Sequence, residues 1–171
     1  YSCSDGEWTP YQHLLHVDKK LCRVLSGKCR KLMVFMPPQH GKSEFISHRF
    51  PTYFLGRFPD SCLSLISYAA EFAEQWGGKV KHLFETVGPE YFGHTTCRRR
   101  KRTNGWWHID GHRGGMRCVG GGGSLTGFPT DLAIIDDPIK NAKEAFSKAK
   151  RQACIDFYHS CLETRRSATA S

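Results

Sequence analysis

The sequence has no run of eighteen apolar residues, so no membrane-spanning helix is expected. It has no internal repeat. Its first residues, Tyr1-Ser2-Cys3-Ser4-Asp5, have neither a basic start nor an apolar core, so they do not read as a secretory signal. They also lack a Met, as in a fragment of a longer protein. No two of the eight cysteines, at 3, 22, 29, 62, 97, 118, 154 and 161, stand in CxxC spacing. They scatter over candidate strands and helices alike, which argues against a metal set and against a disulfide framework. Reduced thiols in a cytoplasmic protein are expected, several of them as small core residues. The nine histidines form no ligand cluster in sequence. Acidic residues are few beside basic ones, 16 against 25, and the formal charge is +9. Such a balance suits a polyanion partner such as nucleic acid, although charge alone decides nothing.

What is present centres on residues 31–44, KLMVFMPPQHGKSE. Residues 32–36 form an apolar run the length of one buried strand. Pro37 and Pro38 stop it. Gln39-His40-Gly41-Lys42-Ser43 follows, then a helical pattern from about residue 42 to Phe50, ending before Pro51. Strand, tight loop, Gly-Lys-Ser and helix make a phosphate-binding loop. Amides at a helix N-terminus lack intrahelical partners, and the helix dipole favours an anion there. Lys42 would reach the outer phosphates of a nucleotide and the Ser43 hydroxyl would sit on magnesium. The usual pattern has glycine where this chain has Met36. A Gly-Lys-Ser triplet alone also fits a surface turn after a core strand.

The rest of the chain alternates strands with helices. Residues 12–26 fit an amphipathic helix, with Leu14, Leu15, Leu21, Cys22 and Leu25 recurring at helical steps. Residues 62–68 read as a strand and 69–84 as a helix weakened by Gly77-Gly78. Residues 88–93 read as a loop. Short strands are expected at 106–109 and 116–119, with a Gly-rich loop at 120–127 between them and the next strand. Leu132-Ala133-Ile134-Ile135 is a further apolar run, and a last helix is expected over residues 142–164. This alternation predicts an α/β fold, a central mostly parallel sheet with helices on both faces. The 171 residues suffice for one domain with a sizeable core. Residues 1–28 read as a lead-in segment and helix, and 29–171 as the nucleotide-binding domain.

Asp136-Asp137 closes the last apolar run, at the carboxyl edge where open parallel sheets bind ligands. Four apolar residues followed by Asp is a Walker B arrangement. Asp136 would hold magnesium. Asp137 stands where many ATPases place a glutamate that polarises the attacking water, and is one methylene shorter. A pair of acidic residues capping a strand is the plainer alternative.

Met36-Pro37-Pro38-Gln39-His40-Gly41-Lys42-Ser43-Glu44 resembles the Walker A segment of phage large terminases, the ATPases of DNA-packaging motors. The resemblance continues through Arg49-Phe50-Pro51, Leu55-Gly56-Arg57, Ser67-Tyr68-Ala69-Ala70-Glu71-Phe72-Ala73, Gly120 to Gly123 and Thr126-Gly127. It is strongest there and at Asp131-Leu132-Ala133-Ile134-Ile135-Asp136-Asp137-Pro138-Ile139-Lys140, and it covers about residues 10–166. It implies a P-loop ATPase of the additional-strand, catalytic-glutamate class. ATP would be bound by Pro38, Gln39, His40, Gly41, Lys42, Ser43 and Glu44, and Mg²⁺ by Ser43 and Asp136. Lys42 and Asp137 would be catalytic, and the stretch around Tyr11 to His16 would lie near the adenine. It implies double-stranded DNA, a portal protein and a small terminase subunit as partners, a homo-oligomeric ring, and a place in the host cytoplasm.

The chain departs from that pattern at Gln39 and Phe128, where relatives often carry arginine. The family's nuclease domain and its coupling strand and motif would follow Thr164, so the ATPase domain is expected to be incomplete at its C-terminal end. The run Arg98-Arg99-Arg100-Lys101-Arg102 is a candidate DNA-phosphate contact or a solvated loop, and Trp106 and Trp107 would stack on bases or simply pack. Two other readings remain open: a helicase-type P-loop ATPase, and a nucleotide-binding domain that does not hydrolyse.

Overall fold

In a computed structural model of the chain, the residues described are 11–97, 103–125 and 127–165. The run Arg98–Arg102 and Thr126 lie outside them, as do residues 1–10 of the expected lead-in. The chain is α/β. Helix α1 (Gln12–Leu25) leads into an irregular segment and the Gly-Lys-Ser loop. A π-helical stretch (Glu44–Arg49) then continues directly into α2 (Phe50–Arg57). Next come β1 (Cys62–Ser67), α3 (Ala70–Tyr91), β2 (Trp106–His108), β3 (Gly115–Gly120) and β4 (Leu132–Ile135). Helices α4 (Ala142–Phe146) and α5 (Lys148–Phe157) follow, then a π turn (Tyr158–Leu162) and a short 3-10 turn (Glu163–Arg165). No helix among the described residues is long and apolar enough to cross a membrane.

The four strands lie in the order β2-β3-β1-β4. Strand β1 pairs parallel with β3 and with β4, and β2 pairs antiparallel with β3. All six residues of β1 are buried, as a central parallel strand covered on both faces requires. Side chains alternate between two cores. Leu63, Leu65, Met116, Cys118, Leu132 and Ile134 face one, with Val17 and Leu21 of α1, Phe54 of α2 and Val80 and Phe84 of α3. Ile66 and Val119 face the other, with Leu125, Phe157 and Leu162. Helices therefore cover both faces of the sheet.

Four expectations fail locally, each for a physical reason. Residues 32–36 form no strand. Leu32, Val34 and Met36 are half-buried against the larger core, while Met33 and Phe35 stand 78% and 85% exposed. The alternation of a strand is present, but no strand among the described residues pairs with it. The first helix after the loop does not stop at Pro51. In the π register Phe50 donates to the Phe45 carbonyl, and Pro51, which has no N–H to give, sits at the start of α2. Helix α3 runs on through Gly88-Pro89 to Tyr91, since a proline in the last turn forfeits only one bond, and Gly93 at φ +74° then turns the chain. The last helix is broken at Ser147, whose extended backbone and side-chain oxygen, accepting from the Lys150 N–H, start a new helix.

Gly77 and Gly78 have a packing reason. A Cβ on Gly77 would overlap the Asn104 carbonyl oxygen and the Cys118 Sγ. The two glycines let α3 lie close on β3 and on the chain entering β2.

Candidate functional site

The segment 37–41 is bent by two left-handed residues, Gln39 at φ +63° and Gly41 at φ +81°. Glycine adopts this region freely, but for glutamine it is uncommon. The loop is tied to α1. The His13 Nε2–H donates to the His40 carbonyl (3.2 Å), and Leu14 approaches Gly41. The His40 ring turns back on its own loop, with Nδ1–H donating to the Pro38 carbonyl at 2.7 Å. Tyr11 stacks on His13, ring centroids 5.8 Å apart. The aromatic stretch at the start of α1 thus flanks the loop.

Lys42 opens the helix after this bend. Its ammonium lies 2.9 Å from Oδ1 of Asp136 and 2.6 Å from Oδ1 of Asp137. Burial works against the charged lysine, but hydrogen bonds to Asp137 and Asp136, and their charges, outweigh it, and its pKa is raised.

Both aspartates follow from β4. The Asp136 N–H donates to the Ile66 carbonyl (2.9 Å), extending the ladder by one residue, and its side chain is buried. The chain then reverses: Asp137 has φ +45°, and its carbonyl accepts from the Tyr68 N–H (3.2 Å) and from the Ser67 hydroxyl (3.5 Å). A strained non-glycine residue held from two sides, beside a buried carboxylate, is the kind of backbone that functional sites retain. The Asp137 side chain stands 56% exposed at the mouth of the site.

The Gly-rich stretch reaches the same edge. Gly121 N–H donates to the Ser67 carbonyl (2.7 Å), and a Cβ on Gly120 would lie 2.6 Å from the Ala70 nitrogen. Lys42, Asp136, Asp137, Ser67 and Gly120–Gly121 therefore meet at the carboxyl ends of β1, β3 and β4.

A cavity of about 670 Å³ runs from this edge between residues 30–35 and β4. Lys42, Asp136 and Asp137 line one end. Lys31 lines the other, where its ammonium meets Glu163 at 3.7 Å and the Tyr158 ring at 5.5 Å.

Among the other candidates, Glu44 turns to its own helix and accepts from His48 (2.8 Å) and Arg49 (3.2 Å). The hydrogen bond from His48 leads in lowering its pKa, against a smaller opposing effect of burial. Ser43 has helical φ and ψ, and its hydroxyl caps no helix amide. Trp107 is fully buried against Phe84, and Trp106 lies under the Arg117 guanidinium (4.2 Å) and beside Phe128. Both tryptophans pack. Phe128 is 3% exposed, so this position belongs to the core.

Ser47 was not singled out by its sequence. It is fully buried, and its hydroxyl donates to Oδ2 of Asp136 at 2.8 Å. In sequence it stands between Phe45-Ile46 and His48-Arg49, and nothing local marks it.

No cluster of three His, Cys, Asp or Glu side chains that could hold a metal exists among the described residues. Mg²⁺ does not require one, since it is commonly bound by one or two carboxylates together with substrate phosphates and water. Two carboxylate oxygens converging on one cation, the Lys42 ammonium, are donors of that hard-oxygen kind. In comparisons with protein-family models, with curated proteins and with solved structures, nothing matches this chain.

Proposed function

We propose that this chain is a P-loop ATPase domain of the large-terminase kind, hydrolysing ATP to drive double-stranded DNA. The observation that carries the reading is the Lys42 ammonium held between Asp136 and Asp137 at the carboxyl ends of the parallel strands β1, β3 and β4. A phosphate-loop lysine and two strand-end aspartates from opposite ends of the chain meet where a nucleotide's phosphates would lie.

In this reading the amides at the start of the helix, from Lys42 to Glu44, receive phosphate oxygens. Lys42 exchanges its contact with Asp137 for the outer phosphates. Asp136 and Ser43 would hold Mg²⁺, which would supply positive charge against the phosphates. Asp137, released from Lys42, orients a water. The water oxygen bonds to the γ-phosphorus, the γ-phosphorus bond to the bridging oxygen breaks, and ADP leaves with that oxygen. The water's proton passes to the Asp137 carboxylate. Stacked Tyr11 and His13, beside the loop, are placed to take the base.

The test is calorimetric titration of Mg-ATP into the chain and into Lys42→Met, with turnover measured for Asp137→Asn. Binding lost with Lys42→Met, and turnover lost with bound ATP retained in Asp137→Asn, support the reading. Binding of equal strength in both lysine forms would sink it. Binding without turnover in the unaltered chain, in a ring with DNA, would favour a nucleotide-binding domain that does not hydrolyse.

A further inference from the structure

The two oxygens of the Asp136 carboxylate have different partners. Oδ1 faces the Lys42 ammonium at 2.9 Å, and Oδ2 faces inward to the Ser47 hydroxyl at 2.8 Å. Ser47 is 0% exposed. An alanine would fill that place without desolvating a hydroxyl, and a buried hydroxyl is costly unless it is hydrogen-bonded. That hydroxyl is satisfied by Asp136. The helix also departs from α geometry over this stretch, where Glu44–Arg49 keeps the wide π register. Such turns are rare and concentrate at functional sites.

We propose that Ser47 is a positioning residue of the cation site. It holds Oδ2 of Asp136 so that a single carboxylate oxygen, Oδ1, faces the cation. The inference rests on the ATPase reading. Its consequence is ion selectivity. A carboxylate whose second oxygen is turned inward to a hydrogen-bond donor presents mainly the other oxygen to a cation. That suits the small octahedral Mg²⁺ and Mn²⁺, whereas Ca²⁺ takes more oxygens and often binds carboxylates through both. Outer partners of metal-binding groups typically contribute roughly tenfold to a hundredfold in metal affinity.

The experiment titrates Mn²⁺, followed by its paramagnetic resonance, and Ca²⁺, followed by calorimetry. Both are added to the whole chain saturated with a non-hydrolysable ATP analogue, for the unaltered protein and for Ser47→Ala. Mn²⁺ affinity is expected to fall by roughly tenfold or more in Ser47→Ala, and Ca²⁺ affinity to fall less, so that the preference for Mn²⁺ narrows. Equal losses for both ions would mark a general loosening of the fold and overturn the inference, as would no change. If the unaltered chain binds no Mn²⁺ with the analogue, the ATPase reading falls and the inference with it. If it binds and Ser47→Ala binds with the same preference, only the role of Ser47 falls. Should Ser47→Ala not fold, Ser47→Cys keeps the volume and weakens the donor. An unchanged Mn²⁺-to-Ca²⁺ preference in that variant overturns the inference equally.

Discussion

The Lys42 ammonium donates to the Asp137 carboxylate at 2.6 Å across 95 residues of sequence. The same ammonium lies against Asp136, and the two carboxylates differ in setting: Asp136 is 5% exposed, whereas the Asp137 side chain is 56% exposed.

Removal of the lysine charge should therefore be felt mainly through Asp136. Lys42→Met is expected to lower unfolding stability by about 1–3 kcal/mol, the cost of leaving a buried charged group short of a hydrogen bond. Asp137→Asn, at an exposed position, should cost less than about 1 kcal/mol. Urea unfolding of the three proteins in the absence of nucleotide measures both. Equal losses in the two variants would mean that burial of Asp136 does not set the scale.

Gly77 and Gly78 give a test in which two effects have opposite signs. Helix propensity alone makes either glycine-to-alanine change stabilising by about 1 kcal/mol. At Gly77 the new methyl would overlap the Asn104 carbonyl oxygen and the Cys118 Sγ, so Gly77→Ala should destabilise by about 1–3 kcal/mol. At Gly78 the nearest atom is Cγ of the Asn104 side chain, 3.1 Å away. That side chain can give, so Gly78→Ala should be near neutral. Thermal melting of the pair decides, and a stabilised Gly77→Ala would show that the close approach of α3 to β3 is not tight.

The cysteines should divide by burial. Burial, helped by the Asp131 charge, pushes the Cys62 thiol up to about 11, and burial also raises that of Cys118. A thiol reagent at pH 8 should label the exposed Cys22 in the native protein and spare Cys62 and Cys118. The sign of the pH effect follows. The unfolded Cys62 thiol, with the ordinary value of 9.0, ionises before the folded one. Its contribution to stability is complete below about pH 9 and is lost as pH rises towards 11. Stability should fall more steeply over that interval than in Cys62→Ala. Parallel curves would show that Cys62 is not desolvated.

Much of this fold is legible in the sequence because its central strands are short apolar runs with polar ends. Leu132-Ala133-Ile134-Ile135 before Asp136 is the clearest, and Cys62–Ser67 the next. The meeting of Lys42 with Asp136 and Asp137 is also legible, from a loop pattern and a strand-end pattern read together. What escapes depends on partners distant in sequence or on local geometry that residue type does not announce. The residues at 32–36 alternate like a strand, but pairing is decided by neighbours that no local pattern specifies. Ser147 looks like one more polar position on a helix, and only its cap to Lys150 reveals the break. Pro51 and Pro89 look like stops, yet a widened register absorbs the first and a helix end tolerates the second. Ser47 is invisible because nothing local distinguishes a serine bonded to a distant carboxylate from a serine facing water.

The trough between residues 30–35 and β4 has a colloidal consequence. Met33 and Phe35 present apolar surface beside β4, the edge strand of the sheet among the described residues, and an apolar surface at a sheet edge is a combination through which chains adhere to one another. Opposing this is the net charge of +9, which keeps copies apart by repulsion. Repulsion of that kind acts over about 10 Å at 0.1 M salt and about 3 Å at 1 M, whereas apolar attraction is not weakened by the added ions. Dispersal in solution should therefore depend on ionic strength: light scattering is expected to show separate molecules in dilute salt and association through the troughs in concentrated salt.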